Sequence, residues 1–352
     1  MRKGPFAAVA LGMIFFLVWL FQIGALPEKN LQQIDGFAMD TYLSITLPDQ
    51  LNGSQLRRIQ NRLEEMDGFF NRYSAASDIS TINREAGKWV PVSGDTFALL
   101  NQSLQIAEKT RGSFDPTIGP LVDLWSIGPA GTGEENWAPP RQEEIEKRLS
   151  LVGYDRLELA AGEDKVRLLQ PGMSLDLGGI AKGYAVDRLV EMLQDFGIER
   201  ALVDLGGNYY ALGQHPEGRP WMLGIRHPRQ AEEVIAVIQV EDQGVATSGD
   251  YQRYQVYQGQ RFSHLLDPRT GFPARQLIST TIVAPSALLA DALSTGIFIL
   301  GPEEGSLLIE KWPGVEGVLI DPQLNIWYST GLKGKVFSAK GDAIEPSLFF
   351  GK

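Results

Sequence analysis

Short stretches of alternating polarity and longer stretches with a helical period together predict both strands and helices along the chain. The segment MDTYLSITL (39–47) alternates, which predicts a strand with one buried face. In residues 54–73 the apolar positions recur at the helical spacing, which predicts a helix with Ser54 as its N-cap. A second helix is predicted over residues 94–112, ending at Gly112.

The middle of the chain shows the same mixture of elements. A segment rich in glycine, proline and acidic residues (128–144) predicts a surface loop that leads into a helix at about 141–149. The segment SLDLGGIAKGYAVDRLVEMLQDFG (174–197) predicts a strand, a turn on its glycines, and a helix that ends at Gly197. The next segment, RALVDLGG (200–207), predicts a buried strand.

The last third of the chain is dominated by predicted strands. The segment YQVYQGQRFSHLLDP (254–268) predicts a hairpin that turns at Gln258 and Gly259. A predicted helix at 286–301, apolar almost all the way round, separates this hairpin from a predicted strand pair at 315–331. The fold class predicted from these elements is α+β, a mixed α/β catalytic unit with two lobes and no obvious linker between them.

The N-terminus differs from the rest because residues 4–27 are uncharged and dense in apolar side chains. A membrane span needs ~20 such residues, whereas the apolar part of a secretory signal has ~7–15. We therefore interpret residues 1–27 as a signal-anchor, with a cleaved signal peptide as the alternative. Residues 28–36 are then a linker, and residues 37–352 form the catalytic domain.

Charge and composition narrow the possible locations and partners. Arg2 and Lys3 precede the apolar stretch, so the positive-inside rule places the catalytic domain on the periplasmic side of a bacterial inner membrane. The formal net charge of -11 argues against a nucleic-acid partner, because basic residues supply most of that affinity. The chain has no cysteine, which excludes disulfides, thiolate catalysis and a lipoprotein anchor.

One acid and one hydroxyl interrupt the apolar helix at 286–301. Asp291 and Thr295 are four positions apart and therefore share one helical face. Their oxygens could bind a hard cation such as Mg²⁺. The structural alternative is an Asp paired with an arginine and a Thr bonded to its own helix.

A glycine turn is the second candidate for chemistry. In LDLGGIAKGYAVD (175–187), glycines at a turn before a helix let the backbone approach a ligand, and Asp176 and Lys182 flank them. The spacing matches neither a phosphate-binding P-loop nor the GxGxxG dinucleotide motif. A purely structural turn is the alternative.

The third candidate is the hairpin region 246–274, which contains His264 and Asp267 among other polar residues. The other two histidines, His215 and His227, each precede a proline in loop-like surroundings, and we expect both at the surface. A histidine among carboxylates favours acid–base catalysis. Alternatively, Asp267 only caps the turn formed by DPRTG.

Seven motifs follow one another along the chain: FNRYSAASDISTIN, SFDPTIGPLVDLW, LDLGGIAKGYAVD, ALVDLGGN, ATSGDY, FSHLLDPRTG and ADALSTGIFILG. In this order, and over about 39–332, the chain resembles the ApbE family of FAD:protein FMN transferases. The resemblance implies an ApbE-like, T-fold-related fold and Mg²⁺-dependent cleavage of FAD. The FMN half would be joined by a phosphoester bond to a threonine of an acceptor protein, and AMP would be released.

The resemblance also implies roles for individual residues. The magnesium ligands would be the side chains of Asp291 and Thr295 and the backbone carbonyl of Gly179. Catalysis would fall to His264 as base or proton shuttle, with Asp267 orienting it, although a neighbouring carboxylate is an alternative base. The residues implied to contact FAD are Met39, Tyr73, Ser113, Phe114, Asp115, Asp176, Lys182 and Leu265.

Acceptors in this family are typically subunits of membrane-bound redox complexes, such as sodium-translocating NADH:quinone reductase. Two positions depart from the usual motifs: Asp40 stands where many members have glycine, and Asn208 stands where many have aspartate.

Two other functions remain alternatives. One is a Mg²⁺-dependent FAD pyrophosphatase that releases FMN and AMP, and the other is a non-catalytic flavin-binding protein.

Overall fold

The computed structural model describes residues 31–128 and 137–346. The elements alternate in type along the chain, as the apolar periods predict. The helices are α1 (Gly53–Phe70), α2 (Asp78–Arg84), α3 (Gly94–Lys109), α4 (Gly119–Trp125), α5 (Gln142–Leu149), α6 (Ala181–Asp195) and α7 (Ala287–Lys311). Short 3-10 turns lie at Tyr154–Arg156 and Thr330–Leu332.

Sixteen strands are described, and half of them belong to one sheet. They are β1 (Gln32–Ala38), β2 (Thr41–Leu47), β3 (Val90–Pro91), β4 (Leu157–Ala160), β5 (Lys165–Leu168), β6 (Ala201–Leu205), β7 (Asn208–Leu212), β8 (Trp221–Arg226), β9 (Val234–Val240), β10 (Gln243–Gly249), β11 (Tyr254–Tyr257), β12 (Gln260–Ser263), β13 (Ser279–Ala284), β14 (Glu316–Ile320), β15 (Ile326–Tyr328) and β16 (Val336–Phe337).

The large sheet has eight strands in the order β1-β2-β6-β7-β10-β13-β14-β15, and each neighbouring pair is antiparallel. Three small sheets accompany it: the hairpin β11-β12, the sheet β16-β9-β8, and the sheet β3-β5-β4. The hairpin turns at Gln258 and Gly259, both with positive φ, which confirms the turn predicted there.

Both faces of the large sheet are covered, because successive side chains of a strand point in opposite directions. In β6, Val203 packs into the larger hydrophobic core with the helices, whereas Leu202 packs into a second core with β8, β9 and β16. In β13, Ile282 likewise packs into the larger core and Val283 into the second core. The chain is therefore a mixed α/β unit built around one sheet.

Helix α1 begins slightly earlier than the apolar period predicts, and its cap is a different residue. The side-chain oxygen of Asn52 accepts hydrogen bonds from the amides of Ser54 (2.9 Å) and Gln55 (3.1 Å). The side chain of Gln55 accepts in return from the Asn52 amide at 2.8 Å. This reciprocal capping box makes Asn52 the N-cap, so the assignment to Ser54 is wrong.

Replacing the cap gives a small, measurable loss of stability. We expect Asn52→Ala to lower the free energy of unfolding by about 1 kcal/mol, because two helix amides lose their acceptor. Ser54→Ala is the matched control and should stay within about 0.5 kcal/mol of the parent. Urea unfolding followed by circular dichroism measures both, and equal losses in the two variants would contradict the assignment.

Two further predictions differ from the structure. Residues 32–36 of the predicted linker belong to β1, because they pair with β2. Residues 174–177 form only one bridge, between Ser174 and Ile118, in place of the predicted strand. The helix predicted at 286–301 does end there, because Gly301 has a positive, non-helical φ; a second helical segment, which was not predicted, follows this kink and extends α7 to Lys311.

The signal-anchor or signal peptide predicted over residues 1–27 lies outside the described residues. Within the parts of the chain that the structure does describe, no helix has the length and apolar character of a membrane span.

Candidate functional site

The acid and the hydroxyl of α7 lie side by side in a buried position. Asp291 is only 6% exposed, and its Oδ2 accepts a hydrogen bond from the amide of Gly183 at 3.0 Å. One turn further, Thr295 Oγ1 lies 3.2 Å from the hydroxyl of Ser248 on β10. The apolar remainder of α7 is packed into the core, which fixes both side chains in place.

The glycine turn before α6 approaches this pair closely. A Cβ built on Gly179 would lie 3.1 Å from Thr295 Oγ1, so the backbone of the turn is next to that hydroxyl. The structure therefore brings together the three residues predicted to bind magnesium, Gly179, Asp291 and Thr295. Glycine suits this close approach of the turn to the threonine hydroxyl.

A row of hydroxyl groups continues from Thr295 through Ser248 and Ser294, and Ser113, one of the predicted FAD contacts, lies nearby. Ser248 Oγ lies 2.8 Å from Ser294 Oγ, and the Ser294 hydroxyl donates to the carbonyl of Asp291 at 2.8 Å. Ser113 is fully buried near the same part of α7, and its hydroxyl has no partner among the described residues. A Cβ on the neighbouring Gly296 would lie 3.3 Å from that hydroxyl.

These residues fit a hard cation. Burial raises the pKa of Asp291, while the charge of Lys182 and the hydrogen bond from Gly183 partly oppose the rise. No other hydrogen bond or ion pair reaches this carboxylate from the described residues, so a buried charge is left largely uncompensated. Carboxylate, hydroxyl and carbonyl oxygens are the ligands that Mg²⁺ prefers. No group of three His, Cys, Asp or Glu able to hold a metal occurs within the described ranges, so the set depends on its neutral oxygens.

Asp176 is held by an arginine that the sequence did not single out. Arg72 Nη1 donates to Asp176 Oδ2 at 2.6 Å, and its Nη2 donates to Asp123 Oδ1 at 2.7 Å. The other oxygen of Asp176 accepts from the amide of Gly178 at 2.8 Å. Arg72 thus ties the glycine turn to α4, and its place in the FNRYS motif is the only local signal for it.

His264 lies at the end of β12 and is half-buried. Its amide and its Nδ1 both approach the carbonyl of Arg253 at 3.1 Å. Burial lowers the pKa of His264 to about 4, with a further lowering from the charges of Arg253 and Lys182, while the hydrogen bond with the Arg253 carbonyl and the charge of Asp176 oppose the shift. The charge of Lys182 lowers the pKa of both His264 and Asp291.

Asp267 does not orient His264 in this structure. Its two oxygens are bound by Arg269, at 2.9 Å from the amide, from Nε and from Nη2. Nowhere among the described residues does a hydrogen bond join Asp267 to His264. The capping alternative describes Asp267 better, because the amides of Thr270 and Gly271 also donate to its carbonyl. The carbonyl of Arg253 takes the orienting place instead.

The other residues predicted to contact FAD are distributed over several loops. Met39 is partly buried, at the turn between β1 and β2, where both Met39 and Asp40 have positive φ. Glycine adopts this conformation most easily, which gives a physical reason for the family's usual glycine at position 40. Tyr73 is 80% exposed, and the Arg72 guanidinium lies 5.6 Å from the centre of its ring.

Phe114, Asp115 and Leu265 are buried. Both carboxylate oxygens of Asp115 already have donors: the amide and hydroxyl of Thr117 at 2.7 Å and the amide of Tyr154 at 2.9 Å. Burial raises the pKa of Asp115, and these three hydrogen bonds oppose the rise. Asp115 therefore shapes its own loop, and a contact between it and FAD stays a prediction.

Three predicted positions remain: Lys182, Asn208 and His215. The Lys182 ammonium donates to the carbonyl of Gly178 at 3.1 Å, across the glycine turn. Asn208 is buried, and its side-chain oxygen has no partner among the described residues. Of the histidines expected at the surface, His215 is buried against Trp221, with ring centres 4.9 Å apart, so that expectation is wrong.

Comparison with known proteins identifies the family. The sequence profile of the ApbE family matches residues 39–319. The chain belongs to the ApbE family. This membership confirms the resemblance that the seven motifs carry. A FAD:protein FMN transferase of Haemophilus influenzae is 34% identical over 275 residues, which cover 76% of this chain and 78% of that protein.

Further ApbE relatives cover even more of the chain. A FAD:protein FMN transferase of Escherichia coli is 32% identical over 319 residues, or 87% of this chain and 90% of that protein. The crystal structure of the ApbE protein from Thermotoga maritima superposes with a TM-score of 0.78 at 34% identity, and the flavin transferase ApbE from Vibrio cholerae with 0.77 at 28%. Both alignments cover 87% of this chain and 99% of the other, which confirms the mixed α/β ApbE fold.

Proposed function

We propose that this ApbE-family chain transfers the FMN half of FAD to a threonine hydroxyl of an acceptor protein, with Mg²⁺ as cofactor and AMP as the second product. The observation that carries the proposal is the buried Asp291 carboxylate, which has Thr295 and the Gly179 backbone beside it and no cationic partner among the described side chains. The relatives named FAD:protein FMN transferase support the flavin substrate.

The proposed metal site would compensate for the negative net charge of the protein. FAD brings two negative charges on its pyrophosphate to a protein with a net charge of -11. The side chains of Asp291 and Thr295 and the carbonyl of Gly179 would hold Mg²⁺. When bound, the ion neutralises phosphate charge and stabilises the charge that develops during transfer. Lys182 adds one positive charge within electrostatic range of the same carboxylate.

His264 is suited to be the base. The carbonyl of Arg253 can only accept, so its contact with Nδ1 keeps the hydrogen on Nδ1 and leaves the lone pair on Nε2. The lowered pKa keeps the imidazole neutral at pH 7, so Nε2 is available to accept a proton, and a pKa of about 4 also makes it a weaker base than an ordinary histidine. A threonine hydroxyl is a weak nucleophile, so a base is expected to contribute ~10²–10⁴-fold to the rate.

The reaction balances without an oxidant or a reductant. The threonine oxygen of the acceptor attacks the phosphorus atom of the FMN half and forms the new P–O bond. The P–O bond to the bridging oxygen breaks, and AMP leaves with that oxygen. The hydroxyl proton passes to Nε2 of His264 and then to solvent. Phosphoryl transfer of this kind depends mostly on positioning and charge stabilisation, which the buried residues of α6 and α7 supply.

The acceptor and the location are part of the same proposal. A subunit of a membrane-bound redox complex is the proposed acceptor, and the periplasmic side of a bacterial inner membrane is the proposed place of reaction. The uncharged apolar stretch at residues 4–27, preceded by Arg2 and Lys3, supports this location.

A transfer assay tests the proposal. The full-length protein is incubated with FAD, Mg²⁺ and a candidate acceptor subunit, and covalent flavin is read as fluorescence in a denaturing gel while AMP is measured chromatographically. We expect AMP and protein-bound flavin in equal amounts, and no product when EDTA replaces Mg²⁺.

The matched control is the same acceptor with its target threonine replaced by valine, which should stay unlabelled. Free FMN and AMP formed in equal amounts, without labelled acceptor, would instead establish the pyrophosphatase alternative. Binding of FAD with no AMP from any acceptor would establish the non-catalytic alternative.

A further inference from the structure

Near their N-terminal ends, helices α6 and α7 each provide a carboxylate that accepts hydrogen bonds from backbone amides of the other helix. Asp187 on α6 accepts hydrogen bonds from the first two amides of α7: Oδ1 from Ala287 at 2.7 Å and Oδ2 from Leu288 at 3.0 Å. In the other direction, Asp291 on α7 accepts from the amide of Gly183 in the first turn of α6, at 3.0 Å. Each helix therefore supplies an acceptor for the free amides of the other.

The two backbones are in direct contact between these hydrogen bonds. A Cβ added to Gly183 would collide with the carbonyl group of Ala287 and would lie 2.7 Å from the Cα of Leu288. No side chain fits there, so glycine permits the approach. The two helices cannot come closer, and the paired hydrogen bonds of Asp187 prevent them from moving apart or sliding.

This contact sets the geometry of the proposed metal site. Gly179 belongs to the turn that leads directly into α6, whereas Asp291 and Thr295 belong to α7. The distance between the Gly179 carbonyl and the other two ligands is therefore fixed by how α6 sits on α7. A divalent ion such as Mg²⁺ requires ligands at 2.0–2.1 Å in near-octahedral geometry, so small displacements are costly.

We propose that Asp187 is a positioning residue for the magnesium site, which acts by holding the start of α7 against α6 and so keeps Gly179 in register with Asp291 and Thr295. The proposal rests on the proposed function, since it concerns the same cation. Asp187 itself contacts neither the ion nor FAD in this assignment.

The test is Asp187→Asn in the full-length protein. Asparagine has the same size but only one acceptor oxygen, and its NH₂ group would face a helix amide. We expect the dissociation constant for Mg²⁺, measured by titration calorimetry with MgCl₂ alone, to rise about tenfold, as for other groups that orient metal ligands. The Mg²⁺ concentration for half-maximal transfer should rise by the same factor, while kcat at saturating Mg²⁺ stays within about twofold.

Asp95→Asn is the matched control. Asp95 also binds α6, through a 2.7 Å hydrogen bond from the Tyr184 hydroxyl, and it also pairs with Arg62, but among the described residues no hydrogen bond or ion pair joins its carboxylate to α7. We expect this variant to lose stability without a change in the Mg²⁺ requirement. A merely structural role for Asp187 would give the same result as Asp95, and that outcome would overturn the proposal.

A second variant keeps the proposal testable if the first one folds poorly. If Asp187→Asn does not fold, Asp187→Glu keeps two acceptor oxygens but adds one methylene group and so displaces α6 relative to α7. A raised Mg²⁺ requirement in this variant supports the proposal, and an unchanged requirement overturns it. If the wild-type protein shows no Mg²⁺-dependent transfer, the proposed function fails instead, so the two failures are distinguishable.

Discussion

Replacement of Asp291 by asparagine is expected to lower magnesium-dependent flavin transfer by roughly 10³-fold, because a ligated metal supplies several kcal/mol of charge stabilisation. Asparagine keeps the shape of the side chain and can still accept the hydrogen bond from Gly183, so helix packing is retained. What it removes is the negative charge that the cation requires. Steady-state rates as a function of Mg²⁺ concentration measure this loss.

Without metal, the same variant should be at least as stable as the wild type. Burial raises the pKa of Asp291, so the folded state holds a proton more tightly than the unfolded chain does. At pH 7, above the unfolded-state value, the ionised carboxylate therefore destabilises the metal-free fold. In EDTA we expect Asp291→Asn to melt at or above the wild-type temperature, and in Mg²⁺ only the wild type should gain stability.

Two controls separate the metal site from general damage. Asp321→Asn removes a carboxylate that only closes a turn, by accepting from the amides of Gln323 and Asn325 at 2.9 Å, and it should leave the Mg²⁺ response unchanged. At the second proposed ligand, Thr295→Ser should retain activity and Thr295→Val should lose it, since only the first keeps the hydroxyl. Mg²⁺-dependent activity that survives in Asp291→Asn would show that the ion binds elsewhere.

Local periodicity predicts much of this fold, and its errors have local causes. Helices α1, α3 and α6 follow from apolar positions at the helical spacing. The cap of α1 was misplaced because Asn52 and Ser54 are both good caps, although Gln55 three positions after Asn52 favours the former. A glycine followed by proline at 301–302 is typical of a helix end, but packing of the later turns lets the helix resume beyond a kink.

In the site, contacts between residues close in sequence could be predicted, whereas contacts between distant residues could not. Asp291 and Thr295 could be paired from sequence, because four positions on a helix define their geometry. Arg72 and Asp187 could not, because their partners lie 104 and 100 positions away along the chain. Both residues lie inside the quoted motifs, Arg72 in FNRYSAASDISTIN and Asp187 in LDLGGIAKGYAVD, but neither motif indicates which distant group the side chain contacts.

The relation between Asp267 and His264 shows the same limit. The two residues are three positions apart, which made a direct hydrogen bond a reasonable prediction. The turn that follows instead brings Arg269 onto Asp267, and β11 brings the carbonyl of Arg253 to the imidazole. The acceptor that reaches Nδ1 of His264 depends on where the two strands of the β11-β12 hairpin begin and end. The sequence does not specify these positions.

His264→Ala is expected to lower kcat by ~10²–10⁴-fold while FAD affinity changes little, because the variant loses a proton acceptor and no phosphate ligand. His227→Ala is the control, since the imidazole of His227 accepts from the amides of Arg229 and Gln230 in its own turn. Stopped assays for AMP give kcat, and flavin fluorescence titration gives the affinity. A parallel loss of both quantities would make His264 a binding residue.

The pH dependence gives a sharper test of the same residue. Burial lowers the pKa of His264 to about 4, so the neutral base is present above that pH and is lost as the pH falls through it. Burial also raises the pKa of Asp187 to about 6, but that titration persists in His264→Ala. The ratio of wild-type to variant kcat/KM therefore isolates His264. We expect the ratio to stay constant from pH 8 to about 5 and to fall below that. A decline that begins near 6.5 would contradict the lowered pKa, and a constant ratio down to pH 4 would contradict the role as base.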